Sequence, residues 1–95
     1  MKENHISLRL YVAGDSPNSR QAIANLESLC QEQLPGRHTI EIVDVFVSPE
    51  QAMADGVFLT PMLLVLSHDP PRSIVGTLSD RGVVLGMLGL GAGAA

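Results

Sequence analysis

The stretch 8–19, LRLYVAGDSPNS, constrains this chain more than any other. Ile6, Leu8, Leu10 and Val12 alternate with Ser7, Arg9, Tyr11 and Ala13. That period belongs to a strand with one firmly buried face. Gly14 ends the alternation, and Ser16 followed by Pro17 opens a helix. The Ser16 hydroxyl can cap free backbone N–H groups, and the N–H that Pro17 lacks is not needed in a first turn. Asp15 stands beside the positive end of that helix. A strand that turns straight into a helix is the first half of a βαβ unit, and small domains of this kind mount their chemistry at the turn. Here the turn holds Gly14, Asp15, Ser16, Pro17, Asn18 and Ser19, with no cysteine, no lysine and no second glycine.

From Pro17 the helix carries Ile23, Leu26, Leu29, Cys30 and Gln33 or Leu34 along one side, the spacing of a core stripe. Pro35 and Gly36 stop it. Residues 39–47, TIEIVDVFV, are rich in β-branched side chains and read as a second strand, parallel to the first. Ser48-Pro49 repeats the helix-start pattern, predicting a short helix over 50–55 that ends at Gly56. The apolar run 62–66 reads as a central strand, 68–71 as a turn, and 72–76 as a short antiparallel strand. Residues 78–80 open a last helix reaching about residue 90, and 91–95 form a flexible tail of the single domain 1–95. The order β-α-β-α-β-β-α, a four-stranded mixed sheet with helices on both faces, is the α/β architecture of thioredoxin-like proteins. That fold has a cis proline before its third strand, so Thr60–Pro61 is predicted to be cis, a minority state for an X–Pro bond.

Composition narrows the function. A chain of 95 residues makes one modest core, which buries roughly 60–65% of its unfolded surface. Charged residues are 17%, below the usual share of about 25%, which predicts surface covered by another copy and hence a homo-oligomer. The net charge of −4 provides no field for nucleic acid or anionic membranes. No apolar run is long enough to cross a bilayer, and nothing resembles a signal peptide, so a cytoplasmic location is expected. Cys30 has no disulfide partner and sits on the apolar stripe, the place of a buried structural thiol. With serine at both ends of Ser16-Pro17-Asn18-Ser19, the position of a Cys-x-x-Cys pair is empty, and oxidoreductase activity is rejected. Gly14-Asp15-Ser16 lacks the glycine and lysine spacing of a phosphate loop. His5, His38 and His68 show no pairing that would hold a metal, so neither metal nor cofactor is expected. Asp44, inside an apolar strand, needs a partner or a wet face. Ser16, His68 and Asp44 could be drawn as a triad, but nothing in their spacing singles them out.

Several segments together resemble the KaiB family, small components of the cyanobacterial circadian clock. They are Tyr11-Val12-Ala13-Gly14-x-Ser16-Pro17-Asn18-Ser19, Asp44-Val45 followed by Pro49 and Ala52, Leu59-Thr60-Pro61, and the run 70–79, PPRSIVGTLS. The likeness extends over roughly residues 8–90. It implies a non-enzymatic clock or stress-timing protein that binds the N-terminal ring of KaiC, a hexameric ATPase, in competition with a thioredoxin-like sensor kinase domain. It also implies two folds: the thioredoxin-like binding form, and a resting form of order β-α-β-β-α-α-β in a tetramer or dimer. The weak local specification of residues 59–66, and the glycines at 76, 82, 86 and 89, fit a C-terminal half able to adopt both. The boundary then falls near residues 47–49.

On this likeness the partner surface is the exposed side of the first helix with its leading loop, plus the edge at Pro71 and Arg72. Tyr11, Asn18, Ser19, Pro71 and Arg72 are the candidate contacts, although Tyr11 equally fits a place under a helix. Gly14, Pro17, Thr60, Pro61, Gly76, Thr77, Leu78 and Ser79 are the candidate structural and fold-switch positions. The family's Gly-Asp-Leu-Ser reads Gly76-Thr77-Leu78-Ser79 here, so a carboxylate is missing where the two folds would differ. The alternative role is a thioredoxin-like sensor or adaptor module that binds a histidine kinase.

Overall fold

A computed structural model describes residues 5–90. The tail expected at 91–95 lies outside the described residues. Four strands and three helices follow in the order β1 (Ile6–Val12), α1 (Pro17–Gln33), β2 (His38–Asp44), α2 (Pro49–Ala54), β3 (Met62–Val65), β4 (Arg72–Val75) and α3 (Arg81–Met87). This is the predicted β-α-β-α-β-β-α order. The strands form one sheet in the order β2-β1-β3-β4. β1 and β2 are parallel, with Leu10 opposite Ile42; β3 runs antiparallel to β1, with Leu10 opposite Leu63, and β4 antiparallel to β3. The Thr60–Pro61 bond is cis, as predicted, and so is Asp69–Pro70.

The helices divide between the two faces. Leu8, Leu10 and Val12 of β1 meet Ala22, Leu26, Leu29, Cys30 and Leu34 from α1, together with Leu63, Val65, Val84 and Leu88. α1 and α3 therefore cover one face. The stripe of α1 differs slightly from expectation: Ile23 is only half-buried, while Ala22 and Ser19 are buried; of Gln33 and Leu34, Leu34 is the buried one. Tyr11, Val43, Ala52, Met62 and Leu64 form a smaller core under α2 on the other face. β1 is thus covered on both sides, and the reading of one buried face is too simple for a central strand.

β2 is shorter than the predicted 39–47. It ends at Asp44 because that side chain turns back on the backbone: its Oδ1 accepts the N–H groups of Gly14 (3.1 Å) and Phe46 (2.9 Å). The chain then turns through 45–47 and leaves Phe46 and Val47 about three-quarters exposed. The last helix is also shorter than the predicted reach from 78 to 90. Leu78 has φ +63°, a left-handed conformation that no helix continues, and Asp80 caps α3 through the N–H of Val83 (3.2 Å).

Candidate functional site

The turn between β1 and α1 is built by hydroxyls. Ser16 caps α1: its Oγ accepts the Ser19 N–H at 3.3 Å, and its hydroxyl donates to Ser19 Oγ at 2.8 Å. Ser19 Oγ also accepts the Ala13 N–H at 3.1 Å. The two serines at the redox positions of a thioredoxin-like fold therefore spend their hydrogen bonds on each other and on the backbone. Gly14, at φ +60°, makes the turn, and a Cβ there would lie 3.5 Å from the Phe46 ring. Pro17 and Asn18 are exposed, and Asp15 pairs loosely with Arg20 at 3.6 Å on the surface. Pro61 is buried and Thr60 half-buried beside this turn.

The one thiol is elsewhere. Cys30 is fully buried on α1, and burial pushes its pKa up to about 11. At neutral pH it carries almost no thiolate, the nucleophilic form. Ser16, His68 and Asp44 do not form a triad: Ser16 bonds Ser19, the His68 ring bonds the Pro70 carbonyl, and Asp44 holds backbone N–H groups. Among the described residues no group of three or more His, Cys, Asp or Glu could hold a metal ion, and no helix is long and apolar enough to cross a membrane.

Beside the turn is a feature that sequence reasoning missed. Phe46, Val47, Met53, Phe58 and Leu59 are 64–89% exposed. An open hollow of about 330 Å³, lined by Ala13, Phe46, Met53, Phe58 and Thr60 among others, joins this patch to the β1–α1 turn and the residues preceding the cis proline. The only sequence signal was the density of apolar residues in 45–47 and 57–59, the first of which the strand reading of 39–47 had absorbed into the core.

Beneath the patch, α2 is tied to the sheet by charge. Asp55 Oδ2 accepts the Tyr11 hydroxyl at 2.5 Å and Arg9 Nη1 at 2.9 Å, while Arg9 Nε reaches Glu41 Oε1 at 2.8 Å. The Tyr11 hydrogen bond and the Arg9 cation hold the Asp55 carboxyl below its ordinary pKa. Burial and the Asp55 charge raise the Tyr11 pKa to about 12.

The candidate contacts are placed as follows. Tyr11 and Ser19 are 0% and 1% exposed, so in this form neither side chain meets a partner: Tyr11 takes its alternative place under a helix, and Ser19 departs from the expected contact. Tyr11 is covered by α2, and Ser19 faces inward because it holds the turn together. Asn18 and Pro71 are exposed. Arg72 is half-buried and donates through Nη1 to the Met87 (3.3 Å) and Gly86 (3.5 Å) carbonyls, so it caps the end of α3. Arg72 pairs with Val65, which pairs with Leu8 at the start of β1, whereas Asn18 follows the end of β1. The antiparallel return of β3 sets the two at opposite ends of the sheet. Gly76, at φ +123°, donates its N–H to the Pro61 carbonyl at 2.9 Å. Thr77 and Ser79 bond through their hydroxyls at 2.7 Å, and Asn25 of α1 donates to the Thr77 carbonyl at 2.8 Å. Leu78 is buried.

Comparison with known proteins agrees with this geometry. The profile of the KaiB domain matches residues 9–90. The chain is 41% identical over 85 residues to the circadian clock protein KaiB3 of Synechocystis sp., spanning 90% of this chain and 83% of that one. It is 40% identical over 78 residues to the circadian clock oscillator protein KaiB of Microcystis aeruginosa, spanning 82% and 75%. Among solved structures, the N-terminal domain of Synechococcus elongatus SasA superposes with a TM-score of 0.75 at 14% identity, over 97% of this chain and 90% of that one. Chloroplastic thioredoxin z superposes at 0.74 with 16% identity, over 94% and 82%. The superpositions establish a thioredoxin-like fold, while the serines at 16 and 19 leave it without a redox pair. With the family profile running from β1 past α3, the chain belongs to the KaiB family of circadian clock proteins.

Proposed function

We propose that this chain is a non-enzymatic timing regulator that docks, in its thioredoxin-like form, on a KaiC-type hexameric ATPase. Its resting form is a cytoplasmic homo-oligomer, a dimer or tetramer, in which the residues after about 47 pack differently. The docking reading is carried by the apolar patch of Phe46, Val47, Met53, Phe58 and Leu59 beside a turn whose Ser16 and Ser19 hydroxyls are already hydrogen-bonded. Large apolar side chains each contribute about 1.5–3 kcal/mol when taken out of water, against an association cost of several kcal/mol. Burial of two phenylalanines, a methionine, a leucine and a valine works against that cost. A surface of this kind suits recognition rather than catalysis.

Co-elution from a sizing column tests docking. The chain mixed with a KaiC-type hexamer and nucleotide is expected to elute with the hexamer, and Phe58→Ala is expected to weaken the complex about tenfold or more. Free elution at every concentration rejects docking. The refolding step is read from kinetics: binding slower than diffusion, accompanied by a change in circular dichroism, is expected when the starting sample is the oligomer. Binding complete on mixing with an unchanged spectrum rejects refolding and leaves docking intact.

A further inference from the structure

α2 has little to hold it in place. It is six residues long, too short to be stable in isolation, and Ala52 is its one buried residue. Ser48, at its start, makes no side-chain cap. Yet the segment 49–59 carries Met53, Phe58 and Leu59, three of the five exposed apolar side chains of the patch.

From these facts and the geometry at its C-terminal end, we infer that Asp55 is a latch which fastens this segment to β1, so that 49–59 opens as a unit separate from the sheet. Two β1 side chains converge on a single carboxylate oxygen, the Tyr11 hydroxyl at 2.5 Å and Arg9 Nη1 at 2.9 Å. Both bonds are charge-assisted, the strong class. The Tyr11 oxygen also lies 3.2 Å from the Gln51 carbonyl, but it has one hydrogen to give and the shorter contact to the carboxylate takes it. Arg9 is itself steadied by Glu41 of β2. The fixed half of the latch therefore belongs to β1 and β2, and the moving half is a single side chain at the end of α2. Presentation of Met53, Phe58 and Leu59 then depends on whether that carboxylate is engaged. This inference needs neither the ATPase partner nor a second fold, and is tested on the isolated chain.

Amide hydrogen exchange followed by NMR gives the test. The N–H groups of Asp55, Gly56 and Val57 bond to Gln51, Met53 and Ala52 carbonyls within the segment, and they report its opening. Asp55→Asn removes the carboxylate charge and Tyr11→Phe removes one of its two donors, each with little change of shape. In both, the three reporter amides are expected to exchange about tenfold or more faster, through an opening with little urea dependence, while Leu10 and Ile42 exchange more slowly than the reporters and with the full urea dependence of global unfolding. The double variant is expected to fall short of the product of the two single effects. Glu41→Gln, which leaves Asp55 engaged, is expected to leave the reporters within about twofold of native. Reporter amides at native rates in both single variants overturn the latch. So does a urea dependence of the reporter amides as steep as that of Leu10 and Ile42, which would make the segment part of one global unit. So does an effect of Glu41→Gln as large as that of Asp55→Asn.

Discussion

The carboxylate of Asp44, the last residue of β2, accepts the backbone N–H of Gly14 at 3.1 Å and ties the turn after β1 to the turn after β2. One oxygen thus sets both rims of the apolar hollow, because it also accepts the Phe46 N–H. Asp44→Ala leaves two backbone donors without this partner and is expected to cost about 1–3 kcal/mol. Asp44→Asn, which keeps an acceptor oxygen, should recover part of that loss. Urea unfolding checks it, as a lower midpoint with an unchanged slope.

Arg72 caps α3 by donating to the Met87 and Gly86 carbonyls. Arg72→Ala is expected to destabilise the chain by about 0.5–1.5 kcal/mol and to loosen the end of α3. Exchange of the Leu88 amide, bonded to the Val84 carbonyl, reports that loosening. A partner-contact role alone would weaken binding and leave this amide unchanged.

Cys30 is predicted to be inert. Its thiol is buried and its pKa is pushed up to about 11 by that burial. Alkylation by iodoacetamide at pH 8 should proceed only through unfolding, far more slowly than in denaturant. Reduction of insulin disulfides should be blank. Rapid native labelling would show that Cys30 is accessible and overturn its structural role.

The Tyr11–Asp55 pair predicts a pH profile with two limbs. Tyr11 is raised to about 12 from its ordinary value near 10, so its contribution to stability is complete below about 10 and is lost as pH climbs towards 12. Asp55 is lowered, so its contribution is complete above about 4 and is lost as pH falls through its depressed value. Thermal unfolding against pH should show both losses. Tyr11→Phe should flatten the alkaline limb, and an alkaline limb unchanged by that substitution would place the titration elsewhere.

The fold was legible where the signal is local. Ser16-Pro17 marked the start of α1, alternation marked β1, and Thr60–Pro61 was placed at its cis bond. The boundaries that failed did so where a side chain reached across the fold. Asp44 cut β2 short by bonding a residue 30 positions away, and the left-handed Leu78 delayed α3. The site was less legible. Arg72 looks like a surface group in a linear reading, and alternation alone leaves Tyr11 open between the surface and a place under a helix. Their partners, Asp55 and the carbonyls of 86 and 87, lie 44 and 14–15 residues away. The apolar patch was hidden for the opposite reason, because Phe46 and Val47 continue a strand pattern that the backbone abandons at Asp44.

The sequence by itself determined the element order, the absence of a thiol pair at 16 and 19, and the family, because caps, periodicity and motif residues act over a few positions. Tertiary structure alone decided that Tyr11 and Ser19 face inward, that Arg72 and Asn18 sit at opposite ends of the sheet, and that Phe46, Met53 and Phe58 gather around one hollow. The physical reason is strand order. Placing β1 between β2 and β3 covers it twice and reverses the chain, and a strand's own alternation records neither its neighbours nor their direction.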